Sequence, residues 1–306
     1  MTRPLNVLVF SVICFVVAVP ASALSQRIEA TYDIIWKGML VSTAETSAEL
    51  SSGSYSLSAE MRMRGLAKLF VGGDKTTFSA RGLVGSDGDL QPQEYRSQGK
   101  WKGHAYQESL TYNPDGKLAG LVKDWPEKWQ QENARVPVPE ALQNGYDPAS
   151  MFVALMRRQF PANAGTAVFE PAVYKVFDGD TVVNWSVKCA AAPVTLKKTK
   201  HSMGGEAHEC VFSRELLAGH RIAAPGQKAK KQDRPRKRRS GRGRSVRAKS
   251  YDGPMKVWMG RVQNTEYWLP VKAFVPSEKG TVQMYLKDLE SFASAPERLA
   301  LNRSSR

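Results

Sequence analysis

The residues of a type that does chemistry are four histidines, two of the three cysteines and a few acids. His104, His201, His208 and His220 contain no i, i+4 pair and no metal-ligand spacing, so neither a metal centre nor a cofactor is expected. His208-Glu209-Cys210 sets an imidazole beside a thiol, the couple that activates a cysteine nucleophile. A disulfide from Cys210 to Cys189 would consume that thiol. Asp178 and Asp180 have the types of a general acid/base pair, yet Asp-Gly-Asp between two apolar runs is also turn chemistry. Glu45, Glu49 and Glu60 sit on alternating runs with no partner that the sequence identifies. GxSxG, HExxH, the P-loop and GxGxxG are all absent, and no catalytic residue is assigned.

Seven Trp and ten Tyr point to binding rather than catalysis. Trp125 and Trp129 lie in DWPEKWQQENARVPVPE, a Pro-rich stretch expected to be a loop, where the rings either grip a ligand at a cavity rim or cap the core. Asp147 as N-cap, Pro148 at the first helical position, and Met151, Phe152, Leu155, Met156 and Phe160 at helical spacing predict one amphipathic helix over about 148–160. Its apolar stripe either packs as core or lines a lipid-sized cavity, because Met adapts to varied ligands. Trp125, Trp129, Met151, Phe152, Leu155 and Met156 are therefore the candidate ligand-cavity residues.

The elements that must position these groups are strands. From Ile28 the apolar residues Ile28, Ala30, Tyr32, Ile34 and Trp36 recur with period two. Further strands are expected at 40–50, 55–63, 75–84, 93–98, 105–112 and 117–123, separated by Ser52-Gly53, Ser86-Asp87-Gly88 and Asn113-Pro114-Asp115-Gly116. After the helix they resume at 172–177, 182–189, 194–200, 207–215, 255–262, 266–275 and 281–289. A second short helix is expected at Leu66–Val71. The absence of a βαβ rhythm predicts an all-β, mainly antiparallel fold: a curved sheet or unclosed, wrapped barrel with one covering helix.

The N-terminus bears on compartment. Arg3 precedes an apolar run from Leu5 to Val19, and Ala21-Ser22-Ala23 follows Pro20, the pattern of a cleaved signal peptide over 1–23. The run is short of the roughly 20 residues that a bilayer span takes. A soluble periplasmic protein is expected, with Cys14 lost and Cys189 and Cys210 joined in one disulfide. One β-rich domain would cover 24–290, with a flexible tail at 291–306.

The formal charge is +15, but most of it is local. Lys228, Lys230, Lys231, Arg234, Arg236, Lys237, Arg238, Arg239, Arg242, Arg244, Arg247 and Lys249 stand among 22 residues with Asp233 as the one acid. Without this segment and Arg3 the body carries about +3. The run lies between strands, so it reads as a disordered insertion over 224–250. Its candidate role is docking on an anionic envelope surface; a solvated idle loop is the alternative. Nucleic acid is a third reading, which export disfavours by removing the usual partner.

Three groups of residues together resemble one family. They are Tyr32-Asp33-Ile34-Ile35-Trp36-Lys37-Gly38; Val176-Phe177-Asp178-Gly179-Asp180; and Ala218-Gly219-His220-Arg221 with Val257-Trp258-Met259 and Trp268-Leu269-Pro270-Val271-Lys272. In this order, over roughly 28–290, they resemble the exported proteobacterial family catalogued as domain of unknown function 3108. The resemblance implies a periplasmic β-rich protein and no established activity. The look is also similar to lipoprotein carriers that hold acyl chains in an unclosed barrel, an analogy of fold alone. The expectation is a non-enzymatic envelope protein binding an apolar or amphipathic ligand, such as a lipid, or an envelope partner. A periplasmic hydrolase with an unrecognised site is the alternative.

Overall fold

The computed structural model describes residues 25–65, 75–160, 171–222, 254–263, 265–277 and 280–294. The expected signal peptide, the helix at 66–71, the basic run and residues 295–306 of the expected tail lie outside the described residues, whereas 291–294, expected to be flexible, are strand and pair with residues 25–28. The strands are β1 (Ser25–Trp36), β2 (Met39–Leu50), β3 (Ser54–Met63), β4 (Lys75–Val84), β5 (Leu90–Trp101), β6 (His104–Tyr112), β7 (Leu118–Asp124), β8 (Ala172–Phe177), β9 (Val182–Cys189), β10 (Val194–Leu196), β11 (Gly205–Ala218), β12 (Met255–Arg261), β13 (Trp268–Ser277) and β14 (Gly280–Ser294). Between β7 and β8 come α1 (Glu127–Glu132), a 3-10 turn (Glu140–Leu142) and α2 (Pro148–Met156).

Every strand pair is antiparallel, and the order is β7-β6-β5-β4-β3-β2-β1-β14-β13-β12-β11-β9-β8, with β10 against the start of β11. The first and last strands pair from Ser25↔Ser294 to Trp36↔Val282. The chain therefore meanders outward from this central pair in both directions, and the sheet stays unclosed, with β7 and β8 as its edges. Two of its hairpins share a device. Trp36-Lys37-Gly38 and Trp101-Lys102-Gly103 turn with both Lys and Gly at positive φ (50° and 80°; 49° and 86°), matching the strand twist. Each Lys Nζ lies over its preceding Trp ring, at 4.4 and 4.0 Å.

Helix α2 touches β3, β4 and β5 from one half of the sheet and β8 and β13 from the other. It fills the space between them. Ala149, Val153 and Met156 join a cluster with Ile28, Leu50, Tyr55 and Leu286. Leu155 and the following Phe160 join a second cluster with Val187, Phe212, Met259 and Trp268. Burying each large side chain contributes about 2 kcal/mol. The helix is shorter than its spacing suggests, ending at Met156 with Arg157 as C-cap. The cause is local: Phe160 precedes Pro161, and a residue before proline is pushed out of the helical region.

Asp147 anchors the start of α2 from full burial. Its Oδ1 accepts from the Ala149 and Ser150 N–H groups at 2.9 and 2.8 Å, and its Oδ2 accepts from the Ser150 hydroxyl, which also meets Tyr55 Oη at 2.7 Å. Burial pushes the Asp147 carboxyl up to about 6.

Cys189 lies directly opposite Cys210 in the β9/β11 register, and the two form a disulfide. β11 and β12 pair from His208↔Met259 to Phe212↔Met255. The chain thus departs after Ile222 and returns before Met255 between adjacent strands of one sheet. Among the described residues no helix is long and apolar enough to cross a membrane.

Candidate functional site at the sheet seam

The two sheet edges meet without pairing. Where β7 faces β8, the link is the connecting chain: the Tyr146 N–H donates to Lys175 O and the Phe177 N–H to Tyr146 O, both at 2.9 Å, while Asn144 bridges Lys117. Beneath this seam Leu110 and Tyr112 of β6 pack with Phe177, Val182 and Ala218 from the other half.

At the open end of the seam three rings stack. Tyr106 and Trp125 have centroids 3.9 Å apart, and Trp125 and Trp129 4.0 Å apart, with interplanar angles of 10° and 23°. Contrary to the loop expectation, Trp129 is helical. Pro126 sits at the N-cap, ahead of the hydrogen-bonded turn, where its missing N–H is no loss, and Glu127 in the first turn favours a helix start, so this Pro-rich stretch begins a helix instead of excluding one. The stack ends at Trp129, which lines a cleft of about 250 Å³ with Lys123, Trp125, Gln130, Asn133, Arg135 and Asp180 among its walls.

Glu108 of β6 lies under this cleft, 8% exposed. Its Oε2 accepts from Trp125 Nε1 at 3.4 Å, and its Oε1 has no partner. Burial pushes its carboxyl up to about 7, against the pull of Lys123 and with the help of Asp180 and Asp178. Lys123 forms an ion pair with Asp180. Gly179, at φ +87°, lies so close that a methyl there would collide with Glu108 Oε1. Asp178 is consumed by its own turn: Oδ1 accepts from the Asp180 and Thr181 N–H groups and Oδ2 from the Thr181 hydroxyl. The Asp178/Asp180 pair is thus divided, one acid shaping the turn and the other facing the cleft.

The other candidate residues lie elsewhere. Met151, Leu155 and Met156 are buried in the packed interior, while Phe152 is 37% exposed. None of the four lines the seam cleft. The cavity candidates therefore separate into two aromatics at the seam and four residues of α2. His208 Nδ1 contacts Ala190 O at 3.0 Å and its ring lies against Phe160 and Trp268, while His201 Nδ1 meets the buried Asp33 at 2.6 Å. His104 and His220 are exposed. Among the described residues no three His, Cys, Asp or Glu gather as a metal site.

Glu45 and Glu60 face each other across β2 and β3, as Glu29 and Glu290 do across β1 and β14. They line a polar groove of about 660 Å³ with Asp288 and Arg96. Directly opposed like charges are destabilising, and here they are offset: Lys75 and Arg62 hold Glu60 at 2.5 Å each, and Arg27 holds Glu29 at 2.6 Å. This groove is a solvated sheet face.

Glu108 and Lys123 carry the seam's electrostatics and were not among the sequence candidates. A signal existed for Glu108. It lies two residues before Leu110 and four before Tyr112, so period two places a charge on the inward face.

Residues 31–287 match the family model "Protein of unknown function (DUF3108)". No curated protein matches the chain.

Proposed function

The chain belongs to the DUF3108 family, and from that premise we propose that it is an exported, non-enzymatic binding protein whose ligand site is the seam cleft. The observation that carries the reading is the aromatic stack ending on a cleft where the sheet is unclosed. The N-terminal pattern and the Cys189–Cys210 disulfide support export. Ligand pockets for drug-sized molecules run from about 300 to 1,000 Å³, so a cleft of about 250 Å³ takes one ring-sized group of a larger envelope ligand. The helix stripe fills the core, so an acyl chain inside the sheet is not the favoured occupant.

The test starts from protein purified without detergent. Native mass spectrometry should recover a bound envelope component, and its removal and return should change tryptophan emission. Binding that leaves the emission of Trp125 and Trp129 unchanged would place the ligand elsewhere. N-terminal sequencing of the exported form should start at Leu24; a retained N-terminus speaks against cleavage.

Hydrolysis has one observation in its favour, the converging Glu108 and Asp180 beside a cleft, with Glu108 near the pKa of a general acid. A second free carboxylate is what it lacks. Asp178 is bound in its turn and Asp180 is held by Lys123, so binding is preferred. The basic run adds a proposed docking element: each Lys or Arg near an anionic surface contributes about 1 kcal/mol.

A further inference from the structure

We propose that the group held at the seam is a neutral saccharide unit, an inference that rests on the cleft being the ligand site. Three observations converge on it. The first is the platform. Trp125 is covered by Tyr106 on one side and Trp129 on the other, so the stack ends in the cleft at Trp129, with Lys123 Nζ 5.8 Å from the Trp129 ring centre, and a bound ring shares that ring with the ammonium. A pyranose ring offers a flat face of C–H groups to such a π-surface, which carries partial negative charge.

The second is the set of polar walls, which are held in place by bonds to backbone or to each other. Gln130 Nε2 donates to Trp125 O at 2.7 Å, Asn133 Nδ2 to Trp129 O at 3.0 Å, and Arg135 Nη1 to Gly219 O at 2.9 Å. Lys123 is fixed by Asp180. Amides, a carboxylate and two cations side by side offer both donors and acceptors. A hydroxyl is the ligand group that both donates and accepts.

The third is Glu108 Oε1, an unpartnered acceptor in a residue more than nine-tenths buried. It lies sealed against Gly179, a cleft wall, where an added methyl would collide with it. A buried acceptor without a donor costs free energy, and a ligand hydroxyl supplies that donor. Other ligand classes fit less well. A phosphate would face Asp180 and Glu108, an ammonium would face Lys123 and Arg135, and a plain aromatic or acyl group would leave Oε1 unpaired.

The experiment uses the full mature chain on an array of neutral hexose and N-acetylhexosamine oligomers, followed by titrations of tryptophan emission with the best binder. The expected result is quenching by a neutral oligosaccharide, at least tenfold weaker binding in Trp129→Ala, and about tenfold weaker binding in Glu108→Gln. Trp129→Phe, which keeps a ring, should retain part of the affinity and guards against a folding defect in the alanine variant. A silent array, with an apolar probe such as anilinonaphthalene sulfonate bound in wild type and lost in Trp129→Ala, overturns the saccharide and leaves the seam site standing. Saccharide binding indifferent to both Trp129 and Glu108 overturns the seam site itself.

Discussion

Replacing Glu108 by Gln tests the buried carboxyl directly, because the amide copies the shape of the protonated acid and cannot ionise. Burial raises this group from 4.5 to about 7. Below pH 4.5 both folded and unfolded chains hold the proton, and the group costs nothing. Between these values the folded chain keeps a proton that the unfolded chain has released, so stability falls as pH rises. Above about 7 both are ionised and the full cost is present. At about 1.4 kcal/mol per tenfold change in proton affinity, that cost is about 3 kcal/mol. Urea unfolding followed by tryptophan emission, with the disulfide intact, should be run on both proteins from about pH 4 to about pH 8. The stability of Glu108→Gln minus that of wild type should climb by about 3 kcal/mol across this range. Asp147 also titrates here, near 6, but it does so in both proteins and subtracts out. A flat difference curve would refute the claim that Glu108 is buried as an uncompensated charge.

Gly179→Ala forces a left-handed φ of +87° on an L-residue and drives a methyl into Glu108; a loss of about 2 kcal/mol in urea unfolding is expected. Changing Cys189 and Cys210 together to Ser opens a link spanning 21 residues and should cost about 3 kcal/mol by chain entropy, with wild type falling to the same stability on reduction. Asp147→Ala removes two backbone caps and the Ser150 partner and should cost about 3 kcal/mol, whereas Asp147→Asn keeps an acceptor and should cost less. Deleting residues 228–249 should leave the unfolding curve unchanged and weaken binding to anionic vesicles at low salt; unchanged vesicle binding would remove the docking role.

The sheet was legible because its signal is repetitive. Lys75–Val84, Ala172–Phe177 and Val182–Cys189 fall where alternation and turn residues place them. Asp147-Pro148 marks the α2 start for an equally local reason. Pairing was not legible, since nothing within Ser25–Trp36 names Gly280–Ser294 as its partner. Nor was the stack, because Trp129 is brought onto Trp125, opposite Tyr106, by a short helix in a segment rich in helix-breaking prolines. Glu108 combines both cases: its inward phase can be read from Leu110 and Tyr112, but its neighbours Asp180 and Gly179 come from the other half of the sheet.

That combination gives a criterion for where a ligand belongs on this fold. Three acids sit buried where something other than a paired strand packs on the sheet: Asp33, Asp147 and Glu108. Asp33 takes a 2.6 Å contact from His201, and Asp147 takes two backbone N–H groups and a hydroxyl. In each case a piece of the chain supplies the donor that makes burial tolerable. Asp33 and Glu108 each keep one buried oxygen with no partner, but the other oxygen of Glu108 has only a long contact of 3.4 Å from Trp125. The Glu108 neighbours Trp125, Lys123, Gly179 and Asp180 line the seam cleft. A donor arriving from outside would do at the seam what His201 and the α2 N-terminus do elsewhere, and the cost of the empty site would become affinity for what fills it.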